Sequence, residues 1–259
     1  MGSGWLPVGK EIFSPNIIGV DRTPQGDGIS LIDETGLDKP EGSLTKGLGP
    51  SSSNSLSIAD IADAMSVADF DYLMFDACFM ASVEAMYELR NSVKYIMASP
   101  AEIMGSGFPM NTVIPAIFNK NTTVRGGLVR AANAFYNFYA NYPNSNYASG
   151  SIAIIDCAEM QELADVVKDI YSEGLREVET SWVQVLQNKA GGDYTFHDLE
   201  DYLYHATTRS NLELFKAQLD KVLLYSETTP IIYSGYEGGF PLLTNGRVCG
   251  LSVFIPRTN

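Results

Sequence analysis

The sequence is short of four things, and each shortage excludes a class of protein. Cysteine is scarce, with three in 259 residues at Cys78, Cys157 and Cys249. Three scattered thiols build no disulfide framework, and no Cys-x-x-Cys pair or Cys/His spacing suggests zinc. Histidine is scarcer still, with only His197 and His205. Positive charge is low: 17 Lys and Arg stand against 31 Asp and Glu, a formal net charge of −14. Phosphate binding needs clustered Lys and Arg, so the balance argues against nucleic acid and anionic membrane as partners. No apolar run approaches the roughly 20 residues of a membrane-spanning helix. No signal peptide is visible in the given chain. The same charge would attract cationic substrates and divalent cations, or serve only to keep the chain soluble.

What remains is a globular composition, 45% hydrophobic and 19% charged. The length fits one α/β domain or one and a half. Residues 1–56 are rich in turn signals ("TPQGDG", "DKPEGS", "GLGPSSSNS") and are expected to be an irregular excursion. Residues 57–259 are expected to form the core of the same single domain. Ser57-Ile-Ala-Asp60 has the pattern of a capping box and predicts a helix to about residue 65. Buried-type strands are expected at 72–75, 93–99 and 151–155, with strand candidates at 230–233 and 248–254. Helical spacing predicts helices at 80–90, 111–118, 124–139, 158–187, 196–207 and 211–225. Strands alternating with helices mean α/β with a mainly parallel sheet.

The stretch "YLMFDACFMASVEAMYEL" carries the chemistry. An apolar strand ends at Asp76-Ala77-Cys78, and an amphipathic helix is expected to begin at once. Ligands of parallel α/β sheets bind at the carboxyl ends of strands. A helix N-terminus there would favour thiolate over thiol at Cys78. Asp76, two residues earlier, would share its face and line the same cleft. The plainer reading makes Cys78 a small buried hydrophobe and Asp76 a helix N-cap. Cys157 follows a strand and an Asp in the same way, but reads as core or helix start, and Cys249 reads as buried.

The segment "FDACFMASVEAMYELRNSVKYIMASPAEIMGSGFPM" resembles the nucleophile region of the clostripain family of bacterial cysteine peptidases, grouped with caspases and gingipains. Its parts are an apolar strand, Asp-Ala-Cys, a Glu-containing helix, a second strand ending in Ala-Ser-Pro, and a Gly-Phe-Pro loop. "SIAIIDCAEMQEL", "YTFHDLEDYL" and "CGLSVFIP" resemble later steps of the family more weakly. The resemblance implies a caspase-like three-layer sandwich and a cysteine endopeptidase cutting after Lys or Arg. It implies Cys78 as nucleophile and Asp76 as the carboxylate of the pocket for the basic side chain. Ser106 stands near the place of a second pocket carboxylate, which puts a strict basic preference in question.

The start of the chain departs from that pattern. The family's catalytic histidine opens a His-Gly-Ser/Thr-Gly-Trp motif, and here the chain reads Met1-Gly2-Ser3-Gly4-Trp5. Met1 falls where the general base is expected, and Gly2 matches the glycine whose N–H helps hold the oxyanion. The strands expected before the histidine are missing as well, so a chain inactive as given, a truncated enzyme and a non-catalytic peptide-binding homologue stay open. Nothing places His197 or His205 beside the thiol. Lys46 is the candidate self-processing site, ahead of Lys39 and Arg22. Asp21, Asp27, Asp33 and Asp38 could supply oxygen ligands to Ca²⁺, although their spacing matches no EF-hand. The chemistry itself requires no cofactor. Tyr236 and Phe240 could wall the cleft or pack a hairpin. The expected partner is a peptide or protein. The resemblance implies a secreted or cell-envelope location, and the oligomeric state is open.

Overall fold

The structure is a computed structural model that describes residues 47–48, 56–186, 196–234, 238–242 and 247–255. In chain order its elements are β1 (Gly47–Leu48), β2 (Leu56–Ser57), α1 (Ile58–Met65), β3 (Phe70–Met74), α2 (Val83–Leu89) and β4 (Val93–Ala98). Then come α3 (Met110–Ile117), α4 (Val124–Ala140), β5 (Ser151–Asp156), α5 (Met160–Ser172), β6 (Phe196–Asp198), α6 (Leu199–Ala206) and α7 (Arg209–Val222). The last are β7 (Leu223–Thr228), β8 (Ile231–Ser234), β9 (Gly238–Pro241) and β10 (Ser252–Phe254).

A four-stranded sheet runs in the order β3-β4-β5-β7. It is mixed among the described residues, which corrects the expectation of a mainly parallel sheet. β3 and β4 are parallel, while β4–β5 and β5–β7 are antiparallel. The reason lies in the connections. One helix, α2, joins β3 to β4 and returns the chain to the same end of the sheet. Two helices, α3 and α4, join β4 to β5. They form an antiparallel hairpin, since Ala116 accepts from Arg130 at 3.2 Å and Phe108 lies edge-on to Phe135, 5.0 Å between ring centres. Two helices reverse the chain once more, so β5 runs against β4.

Two helix groups cover the sheet. α4 packs on β4, β5 and β7 and carries α3, whereas α7 packs on β5 and β7 and joins α5, which meets α2. β5 is almost wholly buried, as the centre of this three-layer α/β arrangement should be. β3 is not: only Leu73 of its five residues is buried. The doubly covered strand expected there is, among the described residues, the outer strand of the sheet. The helix at Ser57 starts as predicted, with Ser57 Oγ accepting from Asp60 N–H and the Asp60 carboxylate accepting from Ser57 N–H. Within the expected irregular stretch, β1 and β2 pair antiparallel. β10 pairs with β6 and touches the nucleophile segment, where Ser252 N–H donates to Ala81 O at 2.9 Å.

Candidate active site

β3 continues its ladder one residue beyond its end, with Phe75 N–H donating to Met97 O at 2.9 Å. The chain then turns. Phe79 adopts φ 58°, the left-handed region that a residue with a Cβ seldom occupies. This turn lets Phe79 N–H reach Ala101 O at 3.0 Å and Ala81 N–H reach Ser99 O at 2.9 Å. Residues 79–81 therefore pair with 99–101 instead of starting a helix. α2 begins only at Val83, capped by Ser82 Oγ, which accepts from Ala85 N–H at 3.3 Å.

That arrangement corrects the expected setting of Cys78. The thiol does not begin a helix and gains no ionisation from one. Cys78 is 1% exposed. Ile103 N–H donates to its Sγ at 3.2 Å, and Sγ–H points to Ile103 O at 3.7 Å. Burial pushes the thiol well above its ordinary value, and the Glu102 and Asp76 carboxylates push the same way. In this conformation the sulfur is buried, and its surroundings favour thiol over thiolate.

Asp76 is 8% exposed and close by in the same segment. Phe108 N–H donates to its Oδ1 at 3.1 Å. Gly107, at φ 64°, lies against the carboxylate, and a Cβ there would stand 2.7 Å from Asp76 Oδ2. Tyr139 of α4 donates its Oη–H to Gly107 O at 2.6 Å. Burial and then the Asp76 charge push the Tyr139 phenol above its ordinary value, so it stays a donor. Met104 O accepts from Gly107 N–H at 2.8 Å, closing a turn with Gly105 and Ser106 exposed at its tip. Asp76, Cys78 and the Ser106 loop are thus brought together, and residues 103–108 bond both candidate side chains. Gly2, Met1, Lys46, Tyr236 and the four aspartates considered for Ca²⁺ lie outside the described residues. Among the described residues no group of three or more His, Cys, Asp and Glu could hold a metal ion. No helix among them is long and apolar enough to cross a membrane.

The two histidines have settings of their own. His197 sits in β6 opposite Val253, buried, with Nδ1 unpartnered, and burial lowers its imidazole to about 4. His205 packs edge-on against Tyr204, 5.0 Å between ring centres. Cys157 and Cys249 are buried free thiols, as expected. Sequence reasoning missed Ile103, Gly107 and Tyr139. The Gly-Ser-Gly run of residues 105–107 signalled a tight turn, but nothing in "FYNFYANYP" distinguishes Tyr139 from its aromatic neighbours.

A thiol and an acid at the end of a strand, in a mixed sheet layered between helices, define a caspase-like cysteine-peptidase scaffold. The chain belongs to the clostripain family, whose sequence profile matches residues 39–259. A cysteine protease structure from B. fragilis is similar at 30% identity and TM-score 0.73, covering 81% of this chain and 88% of that one. An inactive zymogen C11 protease from Parabacteroides distasonis is similar at 29% identity and TM-score 0.67, covering 77% of this chain and 56% of its own. A secreted C11 cysteine protease from Bacteroides thetaiotaomicron, in complex with an irreversible peptide inhibitor, is similar at 28% identity and TM-score 0.66, covering 81% and 60%. A comparison with curated protein sequences gave no match.

Proposed function

We propose that this is a cysteine endopeptidase domain that cleaves after Lys or Arg, with Cys78 as nucleophile and Asp76 selecting the cation. The observation that carries this reading is the pairing of Asp76 and Cys78 at the carboxyl end of β3, both facing the 103–108 segment. A buried carboxylate held by a backbone N–H is an anion that a guanidinium or ammonium group would meet with charge-assisted hydrogen bonds. Ser106, at the exposed tip of the same turn, would add a neutral contact. In turnover an imidazole takes the Cys78 proton, and the thiolate adds to the peptide carbonyl. The N–H groups of Gly2 and Cys78 hold the oxyanion, and collapse releases the amine and leaves a thioester that water hydrolyses. Met1 matches the place of that imidazole in the family's motif. Lys46 is the self-processing bond, and the chemistry requires no metal. The resemblance to a secreted protease supports export, and that relative's peptide inhibitor supports a peptide substrate.

A second reading, a peptide-binding module without catalysis, is favoured by the burial of the Cys78 thiol. A lysyl acyloxymethyl ketone separates the two. A nucleophile displaces its acyloxy group and becomes a thioether at Cys78, found by peptide mass and absent in Cys78→Ala. Asp76→Ala lowers labelling by the lysyl reagent at least tenfold and leaves a norleucyl reagent unchanged. Labelling that ignores Cys78 or Asp76 overturns the peptidase reading, and an inert Cys78 supports the binding module.

A further inference from the structure

We propose that the groove between α5 and α7 binds a linear aliphatic polyamine, a chain of ammonium groups joined by methylenes. Asp76 and Cys78 are not among its walls, so the site stands apart from the peptidase reading.

The groove measures about 280 Å³. α5 supplies one wall from positions 162, 166, 169, 170 and 173, which helical spacing puts on one face. α7 supplies the other wall and runs antiparallel to it. Asn211, in the first turn of α7, meets Glu173 at the end of α5, and Gln218, further along, meets Glu159 at its start. Val166, Ile170 and Leu214 make the walls apolar. Leu214 is 61% exposed, a large apolar side chain left in water. Glu162, Asp169 and Glu173 edge the groove. At about 1.5 Å of rise per residue these three are strung out over roughly 16 Å.

Asn211 carries the inference further, because it turns an unused acceptor to the groove. It is 8% exposed. A carboxylate only accepts, so Asn211 Nδ2 faces Glu173, to whose Oε2 it donates at 2.7 Å, and Oδ1 faces away. No donor reaches that oxygen among the described residues. It is not sealed in the interior either, where His197 Nδ1 is the one side-chain atom without a partner among them. It therefore opens on the groove that Asn211 lines. Glu162, Asp169 and Glu173 form no ion pair among the described residues. Lys221, the cation of the groove, donates instead to Gln218 Oε1 at 2.9 Å. What is left is a row of acceptors beside an apolar wall, the complement of donors that carry positive charge on an apolar body.

The spread of the row selects among cations. A metal ion needs converging oxygens, and among the described residues no group of three or more His, Cys, Asp and Glu could hold one. A basic peptide brings N–H and C=O groups of its own. The walls are helices whose backbone is already paired, so those groups would lie unpaired over Val166 and Leu214. A polyamine has neither defect. Its ammonium groups donate in turn to Glu173 and Asn211, to Asp169 and to Glu162, and its methylenes cover the apolar wall.

Spermine is the probe, titrated into the whole chain at 0.1 M salt. The screening length there is about 10 Å, so the general charge of −14 contributes little. Methyl resonances of Val166 and Leu214 read occupancy of this groove and no other site, and they should shift and saturate. Glu162→Gln and Asp169→Asn, both at exposed positions, should each weaken binding about two- to fivefold, the range of an exposed ion pair. Glu88→Gln removes the same charge from α2 and should change nothing. Lys221→Met should tighten binding by a similar factor, a gain that a damaged fold cannot produce. Methyls that do not move overturn the site. So do equal losses in Glu88→Gln and the two groove variants, which would mean attraction by net charge alone. Tetralysine that fills the groove tenfold more tightly than spermine would assign it to a protein partner and overturn the polyamine.

Discussion

His197 and Asp198 are neighbours in β6 whose ionisations oppose each other. Burial lowers the His197 imidazole from 6.5 to about 4. It raises the Asp198 carboxyl from 3.8 to about 7, against the N–H groups of Asp201 and Cys249 that bond it. Between about 4 and 6.5 the unfolded chain binds more protons at His197, so that contribution grows with pH and is lost as pH falls. At Asp198 the folded chain binds more, so its contribution is present below 3.8 and is lost as pH rises to about 7. Each full slope is about 1.4 kcal/mol per pH unit, and over the shared window they offset. Urea unfolding across that window tests this. Relative to the wild type, the stability of His197→Gln should fall as pH rises and that of Asp198→Asn should climb. Parallel curves for all three proteins would refute the assignment of both groups. The same scale shows what the sequence could carry. Asp76 and Cys78 were legible because an apolar run stops at them. Their chemical state was not, because it depends on the left-handed turn at Phe79 and on Ile103, 25 residues away.

Elements were legible where local signals suffice and misread where a distant partner decides. α1 was marked by its capping box, and α4 by its spacing. The helix expected over 158–187 ends at Ser172, and the one expected over 211–225 ends at Val222. Leu223–Thr228 continues that helical spacing, yet it becomes β7 because β5 offers a ladder from Ser151 to Ile155. The helix expected over 196–207 begins with three strand residues paired to β10 for the same reason. The α3–α4 hairpin that reverses the sheet has its own requirement. Gly127 lies against the end of α3, and a Cβ there would stand 2.7 Å from Ile117 O. In an open helix Gly→Ala stabilises by about 1 kcal/mol. Here the contact is with backbone, which cannot swing aside, so Gly127→Ala should destabilise by roughly 1–3 kcal/mol. Chemical denaturation measures it, and a stabilised variant would mean that the two helices are free to separate.

At the scale of the whole molecule the excess of acid decides how reagents arrive. With 31 acidic residues and 17 basic ones, at least 14 carboxylates have no cation to pair with one to one. The ion pairs Lys94–Asp71 at 2.8 Å and Arg209–Glu213 at 2.9 Å are exposed and change this field little. A negative surface concentrates cations and speeds their encounter, and salt removes the effect as the screening length shrinks from about 30 Å at 0.01 M to about 10 Å at 0.1 M. The second-order rate of Cys78 labelling by a lysyl acyloxymethyl ketone should therefore fall severalfold over that range. Alkylation by neutral iodoacetamide should stay level, because the reagent carries no charge. Asp76→Ala sharpens the distinction: it should lower the lysyl rate at every ionic strength yet leave most of the salt slope, since one carboxylate is a small part of a charge of −14. If the slope vanished with Asp76, the attraction would be local to the pocket, and the acidic surface would have no part in bringing substrate to the sulfur.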